Sequence, residues 1–177
     1  MSERVVYTLG YDGRSLGEFL SLLEKFGVES VIDIRRWVVS RRRLEFSGES
    51  LRRSLLERGF EYHWFPELGG YRRFGVDIED LGLAKCFVSE GFRAYATYIM
   101  SSCEIRSVLE RVLSIVSTRR SVLICREKYP WRCHRKILSD YLVVRGFRVL
   151  HIIESSLVIE HRLSRCARLI GGEIVYL

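Results

Sequence analysis

No stretch of this chain approaches the roughly 18 uninterrupted apolar residues of a membrane-spanning helix, so none is expected. The first residues include an arginine but no long apolar run followed by small residues. They do not resemble a secretory signal, and a cytoplasmic location without membrane association is expected. Internal repeats and low-complexity linkers are missing. Lysine is scarce: of the 29 basic residues, 25 are Arg. Cysteines number five, at 86, 103, 125, 133 and 166. That number is odd, and a domain of this size needs no stapling. An extracellular disulfide scaffold is therefore disfavoured, and free, buried thiols are the ordinary reading for most of them.

What is present is enough for one domain with its own core, spanning residues 1–177. The formal charge is +7, and it is concentrated. Between Arg35 and Arg58 stand eight Arg against three Glu, including the run Arg41, Arg42 and Arg43. Arginine holds a phosphate or carboxylate through a rigid fork that lysine lacks, and such local asymmetry suits a phosphate backbone. The competing reading is a solvated, heavily charged face.

Arg4 to Leu9 predicts a first strand, and Ser15 with Glu18 forms a capping box before a helix that Gly27 stops. Val28 to Ile34 predicts a strand, Ser50 to Arg58 a helix, and Phe60 to Phe65 a further strand. From 66 to 90 the pattern weakens into a long glycine-bearing loop, expected to border the active face. Two helices follow, Phe92 to Met100 and Glu104 to Ser117. A strand over Ser121 to Cys125 leads to a helix from about Trp131 to Arg145, then a strand over Phe147 to Ile153. A tail helix around Leu157 to Leu169 and a last strand, Ile174 to Leu177, complete the prediction. The order implies a three-layer α/β domain with a mainly parallel sheet, Rossmann-like or flavodoxin-like. No three-glycine dinucleotide fingerprint accompanies it.

In such sheets ligands bind at the carboxyl ends of strands. The segment Cys125 to Arg135, CREKYPWRCHR, places Cys125, Arg126 and Glu127 at a strand end, and Cys133, His134 and Arg135 at the next helix. Gly10 to Ser15 and Asp33 to Arg36 leave the first two strands at the same edge. Asp33 and Glu127 are the candidate catalytic carboxylates. The bland alternative for Asp33 is a structural pair with Arg35. Arg14, Arg35, Arg126 and Arg135 are candidate anion ligands, together with Ser15, Ser40 and Arg41 to Arg43. In the 66–90 loop, Arg72 and Arg73 are expected to follow phosphate. Tyr11, Trp37 and Trp131 are candidate stacking surfaces, while Tyr62 and Trp64 lean to the core. Cys133 and His134 point about 100° apart if helical, which argues for packing or hydrogen bonding to substrate over a thiol nucleophile. Cys125, Cys133 and His134 lack a clear fourth ligand, so no metal or other cofactor is expected. A Cys125–Cys133 disulfide is a minority reading.

The ordered combination TLGYDGRSLGEFLSLL, VIDIRR followed by Ser40, YHWFPELGG, LICREKYPWRCHRKILSDYL and GFRVLHI resembles the DUF488 family over roughly residues 4–153. The resemblance implies a compact α/β domain. It also gives prominence to Tyr11, Gly13, Arg14, Ser15, Asp33, Arg35, Ser40, Tyr62, Leu68, Gly69, Glu127, Cys133, His134 and Arg135. It further implies action on damaged or modified nucleic acid. The expected function is thus a nucleic-acid-acting hydrolase, most specifically a DNA glycosylase-like repair enzyme. A nuclease, a nucleotide- or base-modifying enzyme, and a non-catalytic arginine-rich nucleic-acid-binding protein are the alternatives.

Overall fold

The computed structural model describes residues 4–177. Five parallel strands and one antiparallel strand form a sheet: β1 (Val5–Gly10), β2 (Ser30–Asp33), β3 (Glu61–Trp64), β4 (Ser121–Cys125), β5 (Arg148–Glu154) and β6 (Leu157–Glu160). Their spatial order is β3-β2-β4-β1-β5-β6, with β6 antiparallel to β5. The helices are α1 (Leu16–Lys25), α2 (Gly48–Glu57), α3 (Glu90–Ser101), α4 (Cys103–Thr118) and α5 (Arg135–Val144). This is a mixed α/β domain in which helices flank a mostly parallel sheet, as in three-layer Rossmann-like folds. No helix among the described residues is long and apolar enough to cross a membrane.

Strand alternation divides the core in two. Leu9, Val31, Val122 and Ile124 pack with Phe19, Leu23, Leu51 and Leu55 of α1 and α2. Val6, Ile32, Leu123 and Val149 face Tyr95, Ile105, Leu109, Ile137 and Leu142 of α3, α4 and α5. Each such side chain contributes about 1.5–3 kcal/mol on burial. The capping box at Ser15 is present in full and starts α1 directly after the β1 loop. The connections after β1 and β4 therefore leave to opposite faces, opening a crevice at the carboxyl ends of these neighbouring strands.

The predicted tail helix is corrected. Residues 157–169 instead hold β6 and the beginning of β7 (Ala167–Ile170), which pairs with β8 (Glu173–Tyr176). Gly171 and Gly172, at φ 59° and 82°, supply the two left-handed turn residues a tight hairpin needs. The Leu157-Val158-Ile159 run is too β-branched, and too close to a free sheet edge, to wind. The helix expected from Trp131 begins at Arg135, after a single 3-10 turn at Pro130–Arg132. The thiol reading is corrected in part: Cys86 and Cys166 form a disulfide that ties the 66–90 loop to the segment before β7. Cys103, Cys125 and Cys133 are free.

A polar chain crosses the β5 side of the sheet. Asp140 accepts from His161 Nε2 (2.8 Å), Ser164 N (2.8 Å) and Tyr176 OH (3.1 Å). His161 Nδ1 then meets His151 Nε2 at 3.0 Å, and His151 Nδ1 meets the Thr8 hydroxyl at 2.7 Å. Burial, then the neighbouring His161 and Arg135, pushes the His151 imidazole down from 6.5 to about 3. An unfolded histidine takes a proton below about pH 6.5, whereas this folded ring refuses one until about pH 3. Stability is therefore untouched by His151 above that window and falls with pH through it. From pH 7.5 to 4.5 the loss from this ring should be about 2–3 kcal/mol. Urea unfolding across that range should show a shallower acid slope in His151→Gln. Parallel slopes would refute the assignment.

Candidate functional site

Loops from three strand ends and the 66–90 segment enclose a cavity of about 480 Å³. The β1 loop contributes Tyr11 and Asp12. The β2 loop contributes residues 35–37 and 39–43, and the β4 loop contributes Cys125, Arg126 and Glu127. His134, Gly70 and Tyr71 complete the wall. The 66–90 loop borders this cavity through Gly70 and Tyr71. Close packing of backbone holds the loops in place. A Cβ on Gly10 would fall 1.9 Å from the Glu127 carbonyl, so only glycine lets the β4 loop cross the end of β1. Arg135 Nη2 donates to the same carbonyl at 2.5 Å.

Asp33 does not meet this cavity. It is wholly buried, and its carboxylate accepts from Arg35 N (3.1 Å), Arg35 Nε (2.9 and 3.1 Å), Arg35 Nη2 (2.6 Å) and Tyr62 OH (2.7 Å). A carboxylate so fully engaged has no lone pair left to activate water. The expectation of a cleft-facing Asp33 is therefore corrected in favour of the structural pair. Burial opposes the Arg35 charge, but Asp33 outweighs it and holds the guanidinium firmly protonated. Burial, then Asp33, raises the Tyr62 phenol and keeps it a donor. Arg35 Nη1 also donates to the Phe46 carbonyl at 2.6 Å, pinning the turn that follows Arg41 to Arg43.

The arginines divide into committed and uncommitted groups. Arg14 donates to the Gly10 and Ile153 carbonyls, and Arg72 to those of Gly69 and Glu67. Arg135, buried, donates to those of Glu127 and Lys128. These three brace backbone, which corrects their placement as anion ligands. Arg36 pairs with Asp77, and Arg43 with Glu45. Arg73 is exposed and lies outside the cavity wall. Arg41, Arg42 and Arg126 line the cavity, and their guanidinium groups make no hydrogen bond or ion pair to another described residue. Ser40 is at the wall, its hydroxyl accepting from Arg43 N at 3.1 Å, whereas Ser15 is a helix cap.

The aromatic candidates separate as well. Tyr11 is stacked on Phe46 at 4.3 Å, with Arg35 over its ring at 5.3 Å, so its faces are occupied. Trp131 stacks on Tyr129 and lines a different cavity, near His151 and His161. These two are corrected as base platforms. Trp37 is 62% exposed and stands at the wall, 6.2 Å from the 69% exposed ring of Tyr71. Tyr71 belongs to the Leu68 to Arg73 loop that sequence places beside the cleft, but its ring is not among the stacking candidates read from sequence. Its φ of 59° is an uncommon conformation for a bulky residue, the kind of strain that gathers at functional sites.

At the floor, Glu127 is partly buried. Its Oε1 accepts from Tyr71 OH and its Oε2 from Cys125 Sγ, each at 3.4 Å. The Tyr71 phenol is raised first by the Glu127 charge and then by burial, which keeps it a donor. The Cys125 thiol, hydrogen-bonded to the Cys133 sulfur and buried, is pushed well up. Burial opposes ionisation of Cys133, but Cys125 and His134 outweigh it and hold that thiol well below its usual range. Cys133 is 2% exposed and is not at the wall of this cavity; it lines a smaller adjoining one of about 170 Å³ that shares Tyr71, Glu127 and His134. Cys125, Cys133 and His134 are the described residues whose ligand atoms converge in a way that could hold a metal.

Residues 15–142 match the model of a family described as "Domain of unknown function DUF488". No curated protein and no solved structure matches the chain.

Proposed function

The chain belongs to the DUF488 family, and we propose that its cavity serves a nucleic-acid-acting hydrolase of the DNA glycosylase kind, removing a damaged or modified base. One observation carries the reading. Three uncommitted guanidinium groups, Arg41, Arg42 and Arg126, surround a cavity whose floor carboxylate, Glu127, is not consumed by the fold. Arginines without partners are a standing invitation to phosphate. The exposed Trp37 and Tyr71 rings offer a face to an extruded base, and stacking of this kind is worth about 1–3 kcal/mol per base. A volume near 480 Å³ is in the range of small-molecule sites.

In this reading the arginines grip phosphates beside the flipped nucleotide. Glu127 faces the sugar, stabilises its developing positive charge and takes a proton from the attacking water. The bond from C1′ to the base nitrogen breaks and the bond from C1′ to the water oxygen forms; the base takes a proton from solvent as it leaves, and Glu127 afterwards returns to solvent the proton it accepted. A nucleic-acid substrate also supports a cytoplasmic place of action.

Oligonucleotides carrying single modified bases test the reaction. Free base should appear before any strand scission, leaving an abasic site; release of nucleotides alone would mean nuclease chemistry instead. Replacing Arg41, Arg42 and Arg126 together by Ala should weaken binding and flatten its salt dependence. The slope of log K against log salt should fall by about 2–3 units if each arginine neutralises one phosphate. An unchanged slope would remove these arginines from the binding surface.

A further inference from the structure

Beneath the cavity, two sulfurs and an imidazole nitrogen converge on buried residues for which the hydrolysis just described has no use. The Cys125 and Cys133 Sγ atoms and a ring nitrogen of His134 all lie within 4.8 Å of one another. His134 is aimed. Its Nε2 is 3.1 Å from the Ile34 carbonyl, which can only accept, so Nε2 carries the proton. Nδ1 keeps its lone pair and turns it on the Cys133 Sγ, 3.6 Å away. Metal-ligating imidazoles are oriented in this way, by giving the far N–H to a carbonyl. The spacing agrees: bonds of about 2.3 Å to sulfur and 2.0–2.1 Å to nitrogen at a tetrahedral angle leave S and N roughly 3.5 Å apart. Room at Nδ1 is kept by Gly70, where a Cβ would fall 2.7 Å from that atom.

We propose that Cys125, Cys133 and His134 bind one borderline-soft divalent cation, zinc foremost, in a three-residue site whose fourth position opens towards the cavity beside Glu127. Two thiolates and an imidazole select zinc over the hard cations magnesium and calcium. Cys125 and His134 line the cavity, and Glu127 Oε2 is 3.4 Å from Cys125 Sγ, so the carboxylate stands where it would meet a water on the ion. Sequence spacing offered no fourth ligand, and a site of three protein ligands needs none. The inference goes beyond the proposed hydrolase and holds equally for a protein that only binds nucleic acid.

Metal-free full chain with the Cys86–Cys166 bridge intact and Cys125 and Cys133 as free thiols, titrated with cobalt(II), tests it. Thiolate-to-metal absorption of a tetrahedral two-sulfur site is expected, saturating at one ion per chain and displaced by one equivalent of zinc. Zinc should bind at least about 100-fold more weakly to Cys125→Ser and to Cys133→Ser, since even groups that merely orient ligands cost 10–100-fold. Cys103→Ser, which changes an exposed free thiol outside the cluster, should bind zinc normally. The wild-type cobalt spectrum decides the matter if the serine variants fail to fold. Absence of that absorption in folded protein whose Cys125 and Cys133 thiols are free would overturn the proposal, as would undiminished zinc affinity in Cys133→Ser. Peptide mapping that finds Cys125 joined to Cys133 in protein taken from cells would overturn it as well. Base release is not read in any arm, so failure of the glycosylase reading leaves this outcome intact.

Discussion

Asp33→Asn should destabilise the protein by about 3–5 kcal/mol, the range for removing one partner of a buried ion pair. The substitution keeps the shape and removes the charge. Arg35 is 5% exposed and directs three donors at the Asp33 carboxylate: its backbone N, Nε and Nη2. An amide in that place offers one acceptor oxygen and turns an NH₂ towards another donor, either Arg35 or the Tyr62 hydroxyl. The guanidinium then stays buried without a counter-charge. The damage should reach the cavity, because the Arg35 side chain also holds the Phe46 carbonyl and the Arg35 carbonyl accepts from Trp64 Nε1 at 2.8 Å. Urea unfolding should show a lowered midpoint with unchanged slope. A loss below about 1 kcal/mol would mean that the pair is not a keystone of the β2 loop.

Why Asp33 was legible only in part follows from local geometry. A charged residue ending an apolar strand can face the cleft or fold onto a partner two residues on, and Asp33 and Arg35 satisfy both descriptions in one dimension. Only β3 decides, by bringing in the Tyr62 hydroxyl, and that pairing is long-range. Arg135 was misread for a related reason: a helix-opening arginine beside a cavity can turn outward or brace the preceding loop, and here it braces the loop. Features with local causes were plain. The Ser15–Glu18 capping box and the Ser121–Cys125 strand are where the pattern put them. So is the loop after Gly69-Gly70. The Cys86–Cys166 link spans 80 residues, and no local pattern encodes such a contact. The tail failed because periodicity alone does not separate a short apolar run in a helix from one in an edge strand, and the β-branched Val158 and Ile159 tip this one to the strand.

Glu127→Gln should lower base release at least about 100-fold while leaving nucleic-acid affinity and folding close to wild type, since general acid–base groups contribute about 10²–10⁴-fold. The contrast with Asp33 is the basis of the expectation. Glu127 makes two contacts, both at 3.4 Å, one from a phenol and one from a thiol, so its charge neutralises no buried cation. Its position comes from the main chain instead: Arg135 grips its carbonyl, and Gly10 makes room for that carbonyl at the end of β1. A glutamine therefore keeps the loop, accepts from Tyr71 and removes only the charge and the basic oxygen. On the proposed reading the substitution leaves Arg41, Arg42 and Arg126 free to contact phosphate, so binding measured by fluorescence anisotropy should persist within a few-fold. Single-turnover assays with saturating enzyme separate the chemical step from binding. Release within about threefold of wild type would take the carboxylate role away from Glu127. A parallel collapse of affinity and of thermal stability would show a structural residue, as Asp33 is.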